Sequence, residues 1–103
     1  MASTKEYLDF VLEQFFLMDD ITYKAMMGEF IIYNRGKIVG GIYDNRFLVK
    51  NVKSAREKMP DAVLELPYEG TKEMLLVNDV ENKEFLRELF DVMFEDLPEP
   101  KKK

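Results

Sequence analysis

Gly28 to Lys50 reads GEFIIYNRGKIVGGIYDNRFLVK. Three short runs rich in β-branched and aromatic residues, Phe30 to Tyr33, Lys37 to Tyr43 and Arg46 to Lys50, are parted by two turn signals, Asn34-Arg35-Gly36 and Asp44-Asn45. Connections this short leave no room for a crossover, so the runs are expected to form an antiparallel meander. The first run is apolar at every position, which predicts that both faces of its strand are partly covered. In the second, strict alternation places Ile38 and Ile42 on one face and Val39 and Tyr43 on the other, with Gly40-Gly41 marking a bulge, a bend or a close approach of another backbone. In the third, Phe47 and Val49 share a face and Leu48 takes the opposite one. A glycine pair can also cradle phosphate, but that needs a strand-to-helix turn, and here more strand follows.

Working outward, Ser3-Thr4-Lys5-Glu6 has the S-x-x-E spacing of a capping box and predicts a helix start. Leu8, Val11, Leu12 and Phe15, with Tyr7 and Met18, then form one helical stripe, while Phe10 and Leu17 fall nearly opposite it. Asp19-Asp20 ends that helix, and the Met26-Met27 pair that follows reads as packing between helix and sheet. Beyond the meander, Asn51 can cap a short helix whose Val52, Ala55 and Met59 are one-sided and which Pro60 stops. Val63 to Leu66 and Met74 to Val77 are two further strands joined by a turn at Pro67-Tyr68-Glu69-Gly70. Asn78 or Asp79 is expected to cap a final helix with Phe85, Leu86, Leu89, Phe90, Met93 and Leu97 on its apolar face. The expected architecture is α+β: two layers, an antiparallel sheet of about five strands with the terminal helices packed on it. Residues 1–97 read as one domain and 98–103 as a disordered tail.

Composition narrows the chemistry. The 103 residues include no cysteine and no histidine, which removes disulfides, thiolate ligands, the commonest metal ligand and the usual base of nucleophilic catalysis. Ser3 and Ser54, the two serines, read as helix-start residues. Asp19-Asp20 and Glu95-Asp96 read as solvated caps, since no D-x-D-x-D-G loop accompanies them. A non-catalytic protein with no cofactor and no metal is expected. The N-terminus lacks a basic region followed by a long apolar run, so the expected location is cytoplasmic, without a membrane partner.

The net charge of −5 is unevenly spread: residues 35–58 hold seven basic and two acidic side chains, whereas 59–100 hold three and twelve. Arg35, Lys37, Arg46, Lys50, Lys53, Arg56 and Lys58 are therefore either a basic patch for an acidic partner or a stretch neutralised by the acidic C-terminal helix. Basic residues interleaved with Tyr33, Tyr43 and Phe47 make a nucleic-acid-binding module the alternative reading, against which stands a sequence pI near 4.8. A protein-interaction surface fits better, on the sheet face that two helices cannot cover, with Ile31 and Tyr33, or on the Phe10 and Leu17 stripe. The occupant would be a second protomer or a regulatory protein.

Lys24-Ala25-Met26-Met27-Gly28-Glu29-Phe30-Ile31-Ile32-Tyr33, then Arg35-Gly36-Lys37, then Leu48-Val49-Lys50, resembles the N-terminal domain of the TfoX/Sxy family of competence regulators. Pro67-Tyr68-Glu69-Gly70, Met74 and the closing amphipathic helix fit the same pattern, which covers about Lys5 to Leu97. Lys24 stands where that family usually has arginine, and Met27 where it usually has phenylalanine. The resemblance implies a fold similar to the secretion-chaperone-like domains and a role in transcription of DNA-uptake genes. In the full-length regulators, which carry a second, C-terminal domain, that role is exercised together with the cyclic-AMP receptor protein, so a transcription factor is the implied protein partner.

Overall fold

Three turns in the first half of the chain each hold two consecutive residues in the left-handed region: Met27 and Gly28 (φ 52° and 86°), Arg35 and Gly36 (53° and 85°), Asp44 and Asn45 (53° and 55°). This is the type I′ turn, whose twist matches that of the strands it joins. Four consecutive strands result, β1 (Ile21–Met26), β2 (Glu29–Asn34), β3 (Lys37–Tyr43) and β4 (Arg46–Val49). The computed structural model describes residues 3–67, 70–78 and 80–98. Around the meander lie α1 (Lys5–Glu13), α2 (Lys53–Lys58), β5 (Leu64–Glu65), β6 (Met74–Leu76) and α3 (Lys83–Phe94). The six strands form one antiparallel sheet in the order β1-β2-β3-β4-β6-β5.

The fold is α+β, with one strand more than the five expected. The additional strand, β1, occupies the segment between Asp19-Asp20 and the expected meander, where no strand is read from the sequence. The Met26-Met27 pair is the source of that error: Met27 opens a turn and is 96% exposed, and Met26 is 43% exposed, so neither fills the core. A methionine at positive φ carries a Cβ clash of about 1–2 kcal/mol, which is why no turn signal was legible there.

All three helices lie over one face of the sheet. Leu8 and Val11 of α1, Ala55 of α2 and Leu86, Leu89, Phe90 and Met93 of α3 join Ile32, Val39, Ile42, Phe47, Val49 and Leu75 in a single buried cluster. Phe15, Phe47 and Phe90 meet at its centre, with ring centroids 5.2–6.1 Å apart, a spacing that favours tilted and edge contacts. Burial against this layer pushes the Tyr7 phenol above its ordinary pKa, and a backbone interaction with Phe47 partly opposes it.

The sheet faces differ from strict alternation in one strand. Ile32 pairs with Gly40 but Tyr33 pairs with Ile38, so Val39 is the extra residue of a β-bulge. The bulge turns Val39 to the core beside Ile42 and leaves Ile38 with Tyr43 on the opposite face, correcting the expected grouping. Gly40 is required there, because a Cβ would run into the Leu48 carbonyl oxygen and lie 2.7 Å from Val49 Cα.

The caps also sit elsewhere than expected. Thr4, not Ser3, caps α1, its Oγ1 accepting the Tyr7 N–H at 3.1 Å. Ser3 instead ties the chain start to two turns: its N–H donates to the Gly28 carbonyl, and its hydroxyl donates to Glu29 and accepts from the Asn45 N–H. Asn82, not Asn78, caps α3 through the Phe85 N–H at 3.0 Å; Asp79 lies outside the described residues. So do Tyr68 and Glu69 of the expected turn and all but Pro98 of the expected tail.

Candidate interaction surface

Because the helices cover one face, the register fixes which side chains occupy the other. Pairing of Lys24 with Ile31, Thr22 with Tyr33, Ile31 with Gly41, Tyr33 with Ile38 and Tyr43 with Arg46 places all of these on the open face. Ile31, Tyr33, Ile38, Tyr43 and Met74 are each partly exposed there. The apolar run of β2 thus divides between the two faces, Ile32 into the core and Ile31 and Tyr33 outward.

Two depressions meet on this face. One of about 450 Å³ is bounded by Ile31, Ile38, Tyr43 and Lys50 on the sheet side and by Pro67, Thr71, Lys72, Glu73 and Met74 from the connection between β5 and β6. A second of about 290 Å³ continues from Ile31 and Tyr43 to Met26, Met27 and Glu29 at the first turn. Ile31 and Tyr43 are common to both, so they form one shallow groove across the sheet, mostly apolar with cationic side chains at one end. A pocket of this shape and lining suits burial of an apolar partner segment.

Tyr43, common to both depressions, lies against Gly41. A Cβ on Gly41 would lie 2.7 Å from both Cε2 and Oη of Tyr43 and 2.7 Å from the Phe30 carbonyl oxygen. The ring therefore lies over the glycine, which has no side chain to lift it, and covers the bare backbone there. The Gly40-Gly41 pair thus has two separate tasks, one on each face of the sheet.

The seven basic residues do not converge. Arg35 pairs with Asp91 at 3.1 Å and its guanidinium stands 4.6 Å from the Phe94 ring centroid. Lys37 is 7% exposed, its ammonium donating to the Phe94 carbonyl at 3.0 Å and standing 4.0 Å from the same ring. Arg46 binds Glu65 at 2.6 Å and the Leu66 carbonyl at 3.2 Å, and Lys58 binds Glu88 at 3.0 Å. Arg56 donates to the Asn51 carbonyl and Oδ1, which spends the side chain expected to cap α2. Arg35, Lys37 and Lys58 thus face α3, the neutralising arrangement weighed in the sequence, while Lys50 lines the groove.

The cap of α2 comes from far along the chain. Asp96 Oδ2 accepts the Ser54 N–H at 3.0 Å, and the Ser54 hydroxyl, that amide, and the nearby Lys53 and Arg56 hold the Asp96 carboxyl below its ordinary pKa. Ser54 Oγ is buried and makes no hydrogen bond of good geometry, so it acts on Asp96 as a nearby dipole.

Phe10 and Leu17 do not make one stripe. Phe10 packs against the core with its ring 5.9 Å from that of Tyr7. Leu17, 42% exposed, lies past the end of α1 beside Arg35, Arg87 and Asp91. Of the four apolar candidates only Ile31 and Tyr33 share a surface. Ile38, Tyr43 and Met26 belong with them and were missed, the first because the bulge reverses its face and the last because β1 was not recognised. Among the described residues no three carboxylates cluster as metal ligands would, and no helix is long and apolar enough to cross a membrane.

A curated relative from Spirochaeta aurantia, described as "Uncharacterized 12.7 kDa protein in trpE 5'region", is 32% identical over 102 residues, spanning 98% of this chain and 89% of the relative. No family model matches the chain, and no solved structure matches it.

Proposed function

This chain belongs to the same family as the Spirochaeta aurantia 12.7 kDa protein; on the resemblance and the groove, we propose that it is a non-catalytic protein-interaction domain of the TfoX/Sxy N-terminal type. Its open sheet face receives an apolar segment of a partner protein. The observation that carries the reading is the groove floored by Ile31 and Tyr43 on a sheet whose helices all lie on the other side. Apolar side chains left on one face of a helix-backed sheet lose hydration when another surface covers them, at about 25 cal/mol per Å² of apolar area removed from water. The partner is a transcription regulator acting on DNA-uptake genes, an assignment that rests on the resemblance of the run from Lys24 to Tyr33, with Arg35-Gly36-Lys37, to the TfoX/Sxy family.

Direct nucleic-acid binding is the weaker reading, because Arg35, Arg46 and Lys58 are each engaged with a carboxylate and phosphate contacts need cations free to neutralise them. Two measurements test the proposal. Transcripts of DNA-uptake genes are compared in cells with the gene deleted, restored, and restored as Ile31→Glu, and binding of the purified cyclic-AMP receptor protein is measured with the same two proteins. The expectation is a transcript change on deletion that the wild type restores and Ile31→Glu does not, with binding weakened at least tenfold. Unchanged transcripts on deletion overturn the regulatory role; a salt-sensitive gel shift with duplex DNA indifferent to Ile31→Glu would favour the nucleic-acid reading instead.

A further inference from the structure

The two edges of the sheet are built differently. β5 is two residues long and is followed at once by Leu66-Pro67, a short edge that offers little to pair with. β1 is six residues long, contains no proline or glycine, and is exposed at five of its six positions. The bulge that could twist an edge away lies one strand further in, between β2 and β3.

The turn geometry says which backbone groups this edge presents. Met26 and Glu29 flank a two-residue type I′ turn, so they exchange both backbone hydrogen bonds, and the pattern repeats at Lys24 and Thr22. The Arg35 N–H donating to the Asp20 carbonyl at 3.0 Å continues the same phase. The N–H and C=O groups of Ile21, Tyr23 and Ala25 therefore point away from β2. On the helix side of this edge Tyr23 is 44% exposed, its ring set edge-to-face with that of Phe30 at 6.0 Å between centroids.

We infer that β1 pairs with β1 of a second copy of this chain, antiparallel and about a two-fold axis at Tyr23, joining two six-stranded sheets into one. Length and charge select that register. With Tyr23 opposite the second copy's Tyr23, Ile21 faces Ala25 and Thr22 faces Lys24, giving an aromatic pair at the axis and no opposed like charges. A shift of one residue sets an outward-facing amide against an inward-facing one and makes no ladder. A shift of two toward Met26 keeps as many pairs but sets Lys24 directly against the second copy's Lys24, which is repulsive, and a shift of two toward Ile21 leaves three pairs within the strand instead of five. The isologous strand pairing is closed, so it yields a dimer rather than a fibre. It also leaves the groove around Ile31 and Tyr43 uncovered, so it stands whether or not the interaction reading of that groove does.

The test is sedimentation velocity from about 1 to about 500 μM, with a reversible dimer of micromolar Kd expected for an interface at the small end of the specific range. Ala25→Pro removes an outward N–H while leaving the bonds to β2 in place, and is expected to weaken the dimer at least tenfold with the far-UV circular dichroism unchanged. The chain has no cysteine, so Tyr23→Cys and Lys24→Cys report the register by air oxidation even if the proline variant does not fold. Tyr23→Cys is expected to give a disulfide-linked dimer readily and Lys24→Cys slowly. A wild-type monomer throughout the range, a dimer indifferent to a folded Ala25→Pro, or faster linkage of Lys24→Cys each overturns the inference.

Discussion

Replacing Lys37 by methionine is expected to destabilise the protein by about 2 kcal/mol, and the structure supplies the parts of that figure. The Lys37 ammonium donates at 3.0 Å to the Phe94 carbonyl, one of the last four of α3, in a site where the residue is 7% exposed. A hydrogen bond from a charged donor contributes about 1.5–3 kcal/mol, and its position at the negative end of the helix adds to it. The Phe94 ring, 4.0 Å from the ammonium, contributes a further ~0.5–2 kcal/mol as a cation–π partner. Two effects reduce the total. The Phe94 carbonyl keeps a longer bond from the Leu97 N–H at 3.3 Å, and the methionine sulfur regains ~0.3–1.5 kcal/mol against the ring. For a domain of this size a loss of about 2 kcal/mol lowers Tm by roughly 8–16 °C. Urea unfolding followed by far-UV circular dichroism measures it, with a lower midpoint and an unchanged slope as the expected result. Phe94→Leu, alone and combined with Lys37→Met, separates the ring from the carbonyl, and a coupling of about 1 kcal/mol is expected. A Lys37→Met variant as stable as the wild type would refute the reasoning, by showing that taking the ammonium out of water costs as much as the Phe94 carbonyl and ring return.

Gly41→Ala is expected to destabilise by about 1–3 kcal/mol, because its Cβ meets the fixed Phe30 carbonyl as well as the movable Tyr43 ring; near-UV circular dichroism should report the displaced ring. Gly40→Ala meets backbone on β4 and is expected to cost more in the same urea assay. Met27→Asn places a residue tolerant of positive φ in the first turn and is expected to raise stability by about 1 kcal/mol; a lower urea midpoint would count against the turn assignment. The Asp96 carboxyl has a lowered pKa, so its contribution to stability is present above the ordinary carboxylate value and is lost as pH falls through the lowered one. Asp96→Asn should therefore be less stable at neutral pH and should lose less stability on acidification. Parallel stability curves for the two proteins between about pH 7 and pH 2 would contradict that.

What could be read from the sequence was whatever local pattern alone decides. The stripe of α3, the face shared by Phe47 and Val49, and the outward placement of Ile31 and Tyr33 follow from periods of 3.6 and 2, and the structure places them so. The faces of β3 were not readable, because Gly40-Gly41 announces a bulge without saying which residue it inserts, and inserting Val39 reverses Ile38. β1 escaped because Met27-Gly28 carries no ordinary turn residue at the first position. The cap of α2 lies more than forty residues away at Asp96, where only the tertiary structure can bring it. Two of the five residues of the candidate surface, Ile31 and Tyr33, were therefore legible, while Ile38 depended on one bulge and Met26 on one unannounced turn.

The three type I′ turns bear on the order in which the molecule assembles. Each closes a connection of two residues, so β1 to β4 can zip together against almost no loop entropy. Joining β4 to β6 instead brings Leu48 to Leu76 across a connection that includes α2 and β5, a far longer loop to close. By loop length the sheet divides into two pieces, a four-stranded ribbon expected to form first and a pair expected to join it later, with the β4–β6 ladder as the seam between them.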